Sequence, residues 1–118
     1  MSCIILVAED DVLVRNTARL LLQAEGHEVL VAIDGYEALK LSREYRGKID
    51  MLLTAVQMPG MDGLELVAQI VKERPAIKIL VMSDRISSDD VNQLPFLHKP
   101  FSNDVFLDKV REVLNIQE

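Results

Sequence analysis

The sequence predicts an α/β fold in which a doubly wound, five-stranded parallel sheet carries helices on both faces. Short apolar runs alternate along the chain with segments of helical period, which gives five strand–helix units in series. The first run, residues 3–8, is continuously apolar rather than alternating, as is typical of a strand covered on both faces. Units of this kind in series favour parallel strands joined by helical crossovers. At 118 residues the chain has the length of one domain.

Five apolar runs mark the strands. The first run, "CIILVA", contains no charged residue, and the third, "IDMLLTA", ends in a small apolar residue, Ala55. The fifth, "PFLHK", is the shortest. The predicted strands cover, in chain order, residues 3–8, 27–32, 49–55, 77–82 and 95–99.

Four segments with apolar residues three or four positions apart predict the main helices. Gly26 predicts the end of the first helix, Pro75 follows the third, and Ser102 is the expected N-cap of the last. The residues predicted to face the sheet are Leu13, Thr17, Leu20, Leu21 and Ala24 in the first helix, Ala38, Leu41, Ser42 and Tyr45 in the second, Leu64, Val67, Ile70 and Val71 in the third, and Phe106, Val110, Val113 and Leu114 in the last.

The segment between Ser83 and Lys99 has to hold both a further helix, the fourth in chain order, and the fifth strand. Ser88 is a candidate N-cap for that helix, and Pro95 ends it, because proline lacks the N–H group that a helix interior needs. We therefore expect a shortened helix 4 of one or two turns.

The charge balance limits the partners of the protein. Nineteen acidic residues against thirteen basic ones give a net charge of −6, which disfavours direct binding of nucleic acid or of an anionic membrane. No apolar run approaches the roughly 18 to 20 residues of a membrane span. The single cysteine, Cys3, permits no internal disulfide, as is usual for proteins of a reducing cytoplasm. We expect a cytoplasmic protein that binds neither nucleic acid nor membranes directly.

Polar residues follow the predicted strands, at the edge of the sheet where open parallel sheets carry their functional sites. Two acidic side chains on a tight turn can hold Mg²⁺, and a hydroxyl with an ammonium group can hold phosphoryl oxygens. Each residue alone also has an ordinary structural use; Asp10 or Asp11, for example, could cap the first helix. The residues in question are Glu9, Asp10 and Asp11 after the first strand, Gln57 after the third, Ser83 and Asp84 after the fourth, and Lys99 after the fifth.

Four motifs in this order resemble those of the receiver domain of two-component response regulators: "ILVAEDD", "LLTAVQMPGMDG", the serine closing "ILVMS", and "HKPF". The resemblance covers essentially the whole chain. It implies a flavodoxin-like (βα)5 fold, a single receiver domain over residues 1–118 with no output domain, and no enzymatic activity of its own. It also implies that the family accepts a phosphoryl group from a histidine kinase or a phosphotransfer protein onto an aspartate at the end of the third strand.

The resemblance further implies a role for several positions at the strand ends, and a cis peptide bond before one proline. These are Glu9 and Asp10 as the acidic pair of a Mg²⁺ site, Gln57 as its backbone carbonyl ligand, Ser83 as the hydroxyl that contacts the phosphoryl group, Lys99 as the lysine that pairs with the acids or the phosphoryl group, Phe96 as the switch aromatic, and Pro100 as the proline after the cis bond.

The phosphoacceptor position of the family is occupied here by Ala55, whose methyl group cannot be phosphorylated. Thr54 is one residue away and should point to the opposite face of the strand. The loss of a carboxylate is expected to weaken Mg²⁺ binding. The shortened helix 4 alters the face through which receivers usually dimerise, so we expect at most a weak homodimer.

Two explanations of Ala55 follow. An engineered substitution of aspartate is favoured, because the acidic pair, Ser83 and Lys99 are all retained. A natural pseudo-receiver that binds a protein partner without phosphorylation is the alternative. As a separate competing function, a small metal-dependent hydrolase or phosphatase would need its own nucleophilic aspartate and a substrate cleft.

Overall fold

The computed structural model describes residues 2–85, 91 and 93–115. Within them one parallel sheet runs in the order β2-β1-β3-β4-β5, which confirms the predicted five-stranded α/β architecture. Each strand begins and ends within two residues of its predicted limits. In chain order the strands are β1 (Ile4–Ala8), β2 (Glu28–Ala32), β3 (Met51–Ala55), β4 (Lys78–Ser83) and β5 (Phe96–His98).

The helices begin at side chains that accept hydrogen bonds from the first backbone N–H groups. Asp11, Asp34, Asp62 and Ser102 are these N-caps, and the last was predicted. The predicted short helix 4, capped by Ser88, lies outside the described residues, and the label α4 is used below for the last helix of the chain. No helix in the described part of the chain combines the length and the apolar character needed to cross a membrane. The helices are α1 (Val12–Ala24), α2 (Gly35–Glu44), α3 (Gly63–Glu73) and α4 (Asn103–Leu114).

The hydrophobic core has two layers, one on each face of the sheet. Successive strand residues point to opposite faces, so Leu52 packs with α2 and α3, whereas Leu53 packs with α1 and α4. Phe106 of α4 is fully buried in the second layer. This arrangement explains the unbroken apolar runs of the sequence and leaves the carboxyl ends of the strands uncovered by the two helix layers.

The predicted inner face of α1 is wrong by one residue, although the predicted Leu21 does pack against the core. Leu13 and Leu20 are 76% and 57% exposed, while Ala18 and Leu22 are fully buried against the sheet. The spacing of the predicted set is matched equally well by a set that begins at Val14, and periodicity alone does not choose between them. The true register places the small Ala18 against the sheet, and it leaves an apolar stripe on the outside of α1. In α3, Val71 is likewise exposed instead of buried.

His27 has a structural role that the sequence did not reveal. Its side chain is buried at the amino-terminal edge of the sheet, opposite the predicted site, and its Nδ1 atom accepts a hydrogen bond of 3.0 Å from the backbone N–H of Cys3. Burial lowers the pKa of His27, against a smaller opposing effect of the Glu25 carboxylate. The folded protein therefore favours the neutral imidazole.

We expect the pH dependence of stability to reflect this histidine. The unfolded chain binds a proton at His27 more readily than the folded chain does. The contribution of His27 to the free energy of unfolding should therefore be fully present above about pH 6.5. It should be lost as the pH decreases below that value, by up to about 1.4 kcal/mol per pH unit. Urea unfolding between pH 5 and 7.5 measures this slope. A His27→Gln variant, which cannot titrate, should show a flatter profile; identical profiles would contradict the assignment.

Candidate functional site

An open cavity of about 620 Å³ lies at the carboxyl edge of the sheet. It is lined by residues from the ends of β1, β3, β4 and β5, as predicted from the positions of the polar residues in the sequence. Acidic side chains outnumber basic ones around it, which favours cations over free anions. The charged lining residues are Glu9, Asp10, Asp11, Asp62, Asp84, Arg85 and Lys99.

Glu9 and Lys99 form an ion pair at the base of this cavity. The Glu9 side chain is 1% exposed; its Oε1 atom pairs with Lys99 Nζ, and its Oε2 atom accepts a hydrogen bond of 3.1 Å from the Asp11 N–H. Burial raises the pKa of Glu9, and the Lys99 ammonium partly offsets this effect. Because an unpaired buried carboxylate is costly, loss of Lys99 alone should destabilise the fold.

The three acids after β1 have different roles. Asp11 is the N-cap of α1, and its Oδ1 atom accepts hydrogen bonds from the N–H groups of Leu13 and Val14. Asp10 is exposed and lines the cavity. The sequence left the capping residue open between Asp10 and Asp11; the structure assigns it to Asp11. Arg15, which the sequence did not single out, donates a 2.9 Å hydrogen bond to the backbone carbonyl of Glu9 and holds this loop against α1.

Ala55 ends β3 and is 1% exposed. Thr54 is fully buried and donates its hydroxyl proton to the Ala55 carbonyl at 2.9 Å, so it is not accessible as a substitute phosphoacceptor. The N–H of Gly63 donates to the Val56 carbonyl at 2.8 Å, which brings the start of α3 directly against the end of β3. The sequence showed Gly63 only as part of a motif; its use is this close approach.

Ser83 lies at the end of β4 and is fully buried. Its Oγ atom donates to the side-chain oxygen Oε1 of Gln57 at 2.8 Å and accepts from the Arg85 N–H at 3.0 Å. The Lys99 N–H donates to the Ser83 carbonyl at 2.9 Å, so the predicted hydroxyl and ammonium residues are neighbours on adjacent strands. Sequence reasoning considered only the backbone carbonyl of Gln57 and missed its side chain.

Phe96 and Pro100 are not among the residues that line this cavity. Phe96 is half-buried against the core layer of α2 and α3, with its ring centroid 6.5 Å from that of His98. The peptide bond between Lys99 and Pro100 is cis. A switching role for Phe96 stays a prediction.

The residues present supply only part of a Mg²⁺ ligand set. Mg²⁺ takes oxygen ligands, usually one or two carboxylates, and keeps several waters. Asp10 and Gln57 line the cavity and contain such oxygens, whereas Glu9 is engaged by Lys99. Over the described ranges, no three His, Cys, Asp or Glu side chains are grouped so as to hold a metal ion. With Ala55 in place of a carboxylate, the ligand set is one oxygen group short.

The retained site residues have structural uses of their own. Glu9 and Lys99 neutralise one another in a buried position, and Asp10 is solvated. The engineered origin of Ala55, favoured because these side chains are retained, stays a prediction.

Comparison with known proteins identifies a family with this arrangement. The family model described as response regulator receiver domain matches residues 5–111. The sensor kinase CckA of Brucella abortus is 34% identical over 99% of this chain, and the response regulator MprA of Mycobacterium tuberculosis is 36% identical over 97% of it. The chain spans 13% of the first protein and 51% of the second.

Solved structures show the same fold. The chemotaxis protein CheY4 of Vibrio cholerae superposes with a TM-score of 0.85 at 27% identity, covering 96% of this chain and 99% of that one. The receiver domain of the hybrid histidine kinase CckA superposes with a TM-score of 0.76 at 34% identity, covering 94% and 98% of the respective chains.

Proposed function

This chain belongs to the response regulator receiver domain family of two-component systems, and we propose that it is a receiver module that does not accept a phosphoryl group. The observation that carries this proposal is Ala55 at the end of β3, beside a cavity that keeps Glu9, Asp10 and Lys99. A methyl group offers no oxygen for transfer. The remaining groups nevertheless have the chemistry that the family needs around its phosphoacceptor.

Each remaining residue has a distinct proposed part in a form with aspartate at position 55. Asp10 and the Gln57 carbonyl would hold Mg²⁺, which neutralises charge on a phosphoryl group. The Lys99 ammonium and the Ser83 hydroxyl would bind phosphoryl oxygens by electrostatic attraction and hydrogen bonding. Both groups are positioned on adjacent strand ends by the hydrogen bond between the Lys99 N–H and the Ser83 carbonyl.

The proposed partners are proteins. Receiver domains interact with histidine kinases or phosphotransfer proteins, and we propose a partner of this kind for this chain, in the cytoplasm, with at most a weak homodimer. A phosphorylation-independent interaction module is the second candidate function. The exposed Leu13 and Leu20 of α1 favour it, because apolar side chains gathered on one exposed helix face are a common feature of protein interfaces.

Restoring the carboxylate tests the proposal. We expect Ala55→Asp, incubated with acetyl phosphate and Mg²⁺, to form an acyl phosphate that is sensitive to hydroxylamine and detectable by mass spectrometry. The unchanged chain and Ala55→Asn, which matches aspartate in size, should form none. An Ala55→Asp chain without any adduct would favour the interaction module, and turnover of an external phosphate ester would favour a hydrolase.

The same variant should respond to metal in its stability. A carboxylate at the buried position 55 would lie close to Glu9 and Asp10, and repulsion should destabilise the metal-free fold by about 1 to 2 kcal/mol, or roughly 5 to 10 °C in melting temperature. Mg²⁺ should restore most of this loss by binding the folded state. Thermal melts with and without Mg²⁺ measure both effects; an Ala55→Asn chain with an equal metal response would contradict them.

A further inference from the structure

The hydroxyl group of Ser83 is fully committed within the protein. Ser83 is buried, and its one proton is donated to Gln57 Oε1 at 2.8 Å while its oxygen accepts from the Arg85 N–H at 3.0 Å. A hydroxyl has a single proton to donate. A phosphoryl oxygen would therefore compete with Gln57 for this proton.

We propose that the Gln57 side chain is a positioning residue that takes the place of the phosphoryl oxygen as the acceptor for Ser83. Its amide oxygen holds the hydroxyl in one orientation and links the loop between β3 and α3 to the end of β4 without phosphate. The proposal rests on the receiver function proposed above and adds a regulatory element to the same site.

The hydrogen bond between the side chains of Gln57 and Ser83 continues a row of backbone hydrogen bonds. The Val56 N–H donates to the Met82 carbonyl at 2.9 Å, so the residues next to Gln57 and Ser83 are already joined across the strands. Gln57 lies directly beyond Val56, and Ser83 directly beyond Met82. The side-chain hydrogen bond extends the ladder by one step past β3. Its loss would free the loop, while its retention opposes movement of Ser83 toward a ligand.

Competition for the proton gives a direct test. In the Ala55→Asp chain with Mg²⁺, the probe is fluoroberyllate, a mimic of the phosphoryl group. Gln57→Met keeps the side-chain length and removes the acceptor, and it should bind the probe about fivefold more tightly, the equivalent of one hydrogen bond. In a Ser83→Ala background the same change should have no effect. An unchanged affinity, or an equal gain in the Ser83→Ala background, would overturn the proposal.

A second measurement separates this proposal from the receiver function. In the unchanged Ala55 chain, urea unfolding of Gln57→Met, Ser83→Ala and the double variant forms a double-mutant cycle. The two changes should be coupled by about fivefold in the unfolding equilibrium constant. Gln57→Glu, which keeps an acceptor oxygen, should retain the coupling. If the changes at positions 57 and 83 were not coupled, the proposal would be overturned, whether or not fluoroberyllate binds. If the coupling were present but the Ala55→Asp chain bound no fluoroberyllate, only the receiver function would be contradicted.

Discussion

Replacement of Lys99 by methionine is expected to destabilise the fold by about 3 to 5 kcal/mol, because it leaves the Glu9 carboxylate without its charge partner in the protein interior. Glu9 is 1% exposed, and its remaining hydrogen bond comes from the Asp11 N–H. Methionine preserves the apolar stem of the lysine, so the loss reports on charge more than on packing. Urea unfolding at pH 7 measures it.

Two controls define the origin of the effect. The double variant with Glu9→Gln and Lys99→Met removes both charges and should recover most of the lost stability, because no ionised group remains buried. Arg43 and Glu73 form an ion pair on the protein surface, with an N–O distance of 2.8 Å. Arg43→Met breaks this pair and should have a far smaller effect on stability. Equal losses for Lys99→Met and Arg43→Met would show that burial of the first pair is unimportant.

The sheet and its functional edge could be predicted from the sequence because they depend on local patterns. Unbroken apolar runs mark strands, and parallel strands end at one edge, so Glu9, Ser83 and Lys99 could be placed together without coordinates. The N-cap at Ser102 was predicted for the same reason, since a cap is a short-range hydrogen bond.

The register of α1 could not be predicted in this way. Two faces of the helix carry apolar residues, and the choice between Leu13 and Val14 as an inward-facing position depends on which face fits against β1 and α4. Leu13 and Leu20 remain exposed on the outer face of α1. In the sequence, an exposed apolar face of this kind has the same spacing as a face that packs against the core.

Side-chain pairings within the site were also beyond the sequence. Glu9 and Lys99 are 90 residues apart, and Gln57 and Ser83 are 26 apart. Their presence at one edge follows from topology, whereas the choice of partner depends on rotamers and burial. The resemblance to receiver domains assigned Gln57 a role through its carbonyl group, and the structure adds one for its amide.

Gly63→Ala should have a comparably large effect, through a backbone clash. The added Cβ atom would overlap the carbonyl oxygen of Ala55, which is fixed at the end of β3 and has no side-chain freedom with which to yield. Alanine is otherwise the better helix former by about 1 kcal/mol, so the clash has to exceed that gain before any loss appears. We expect a net destabilisation of about 3 kcal/mol or more, measured by urea unfolding.

Gly35→Ala is the matched control for this prediction. Gly35 and Gly63 are each the first residue of a helix, and each directly follows an aspartate N-cap. The Cβ atom at position 35 would meet the Cβ, Cγ and Sδ atoms of Met61 at 3.0 Å, a contact that a shift of a few tenths of an ångström relieves. Gly35→Ala should therefore stay within about 1 kcal/mol of the unchanged chain. If both variants lost the same stability, the tight junction of β3 and α3 would not be the cause, and the position of Gln57 at the cavity would have to depend on other contacts.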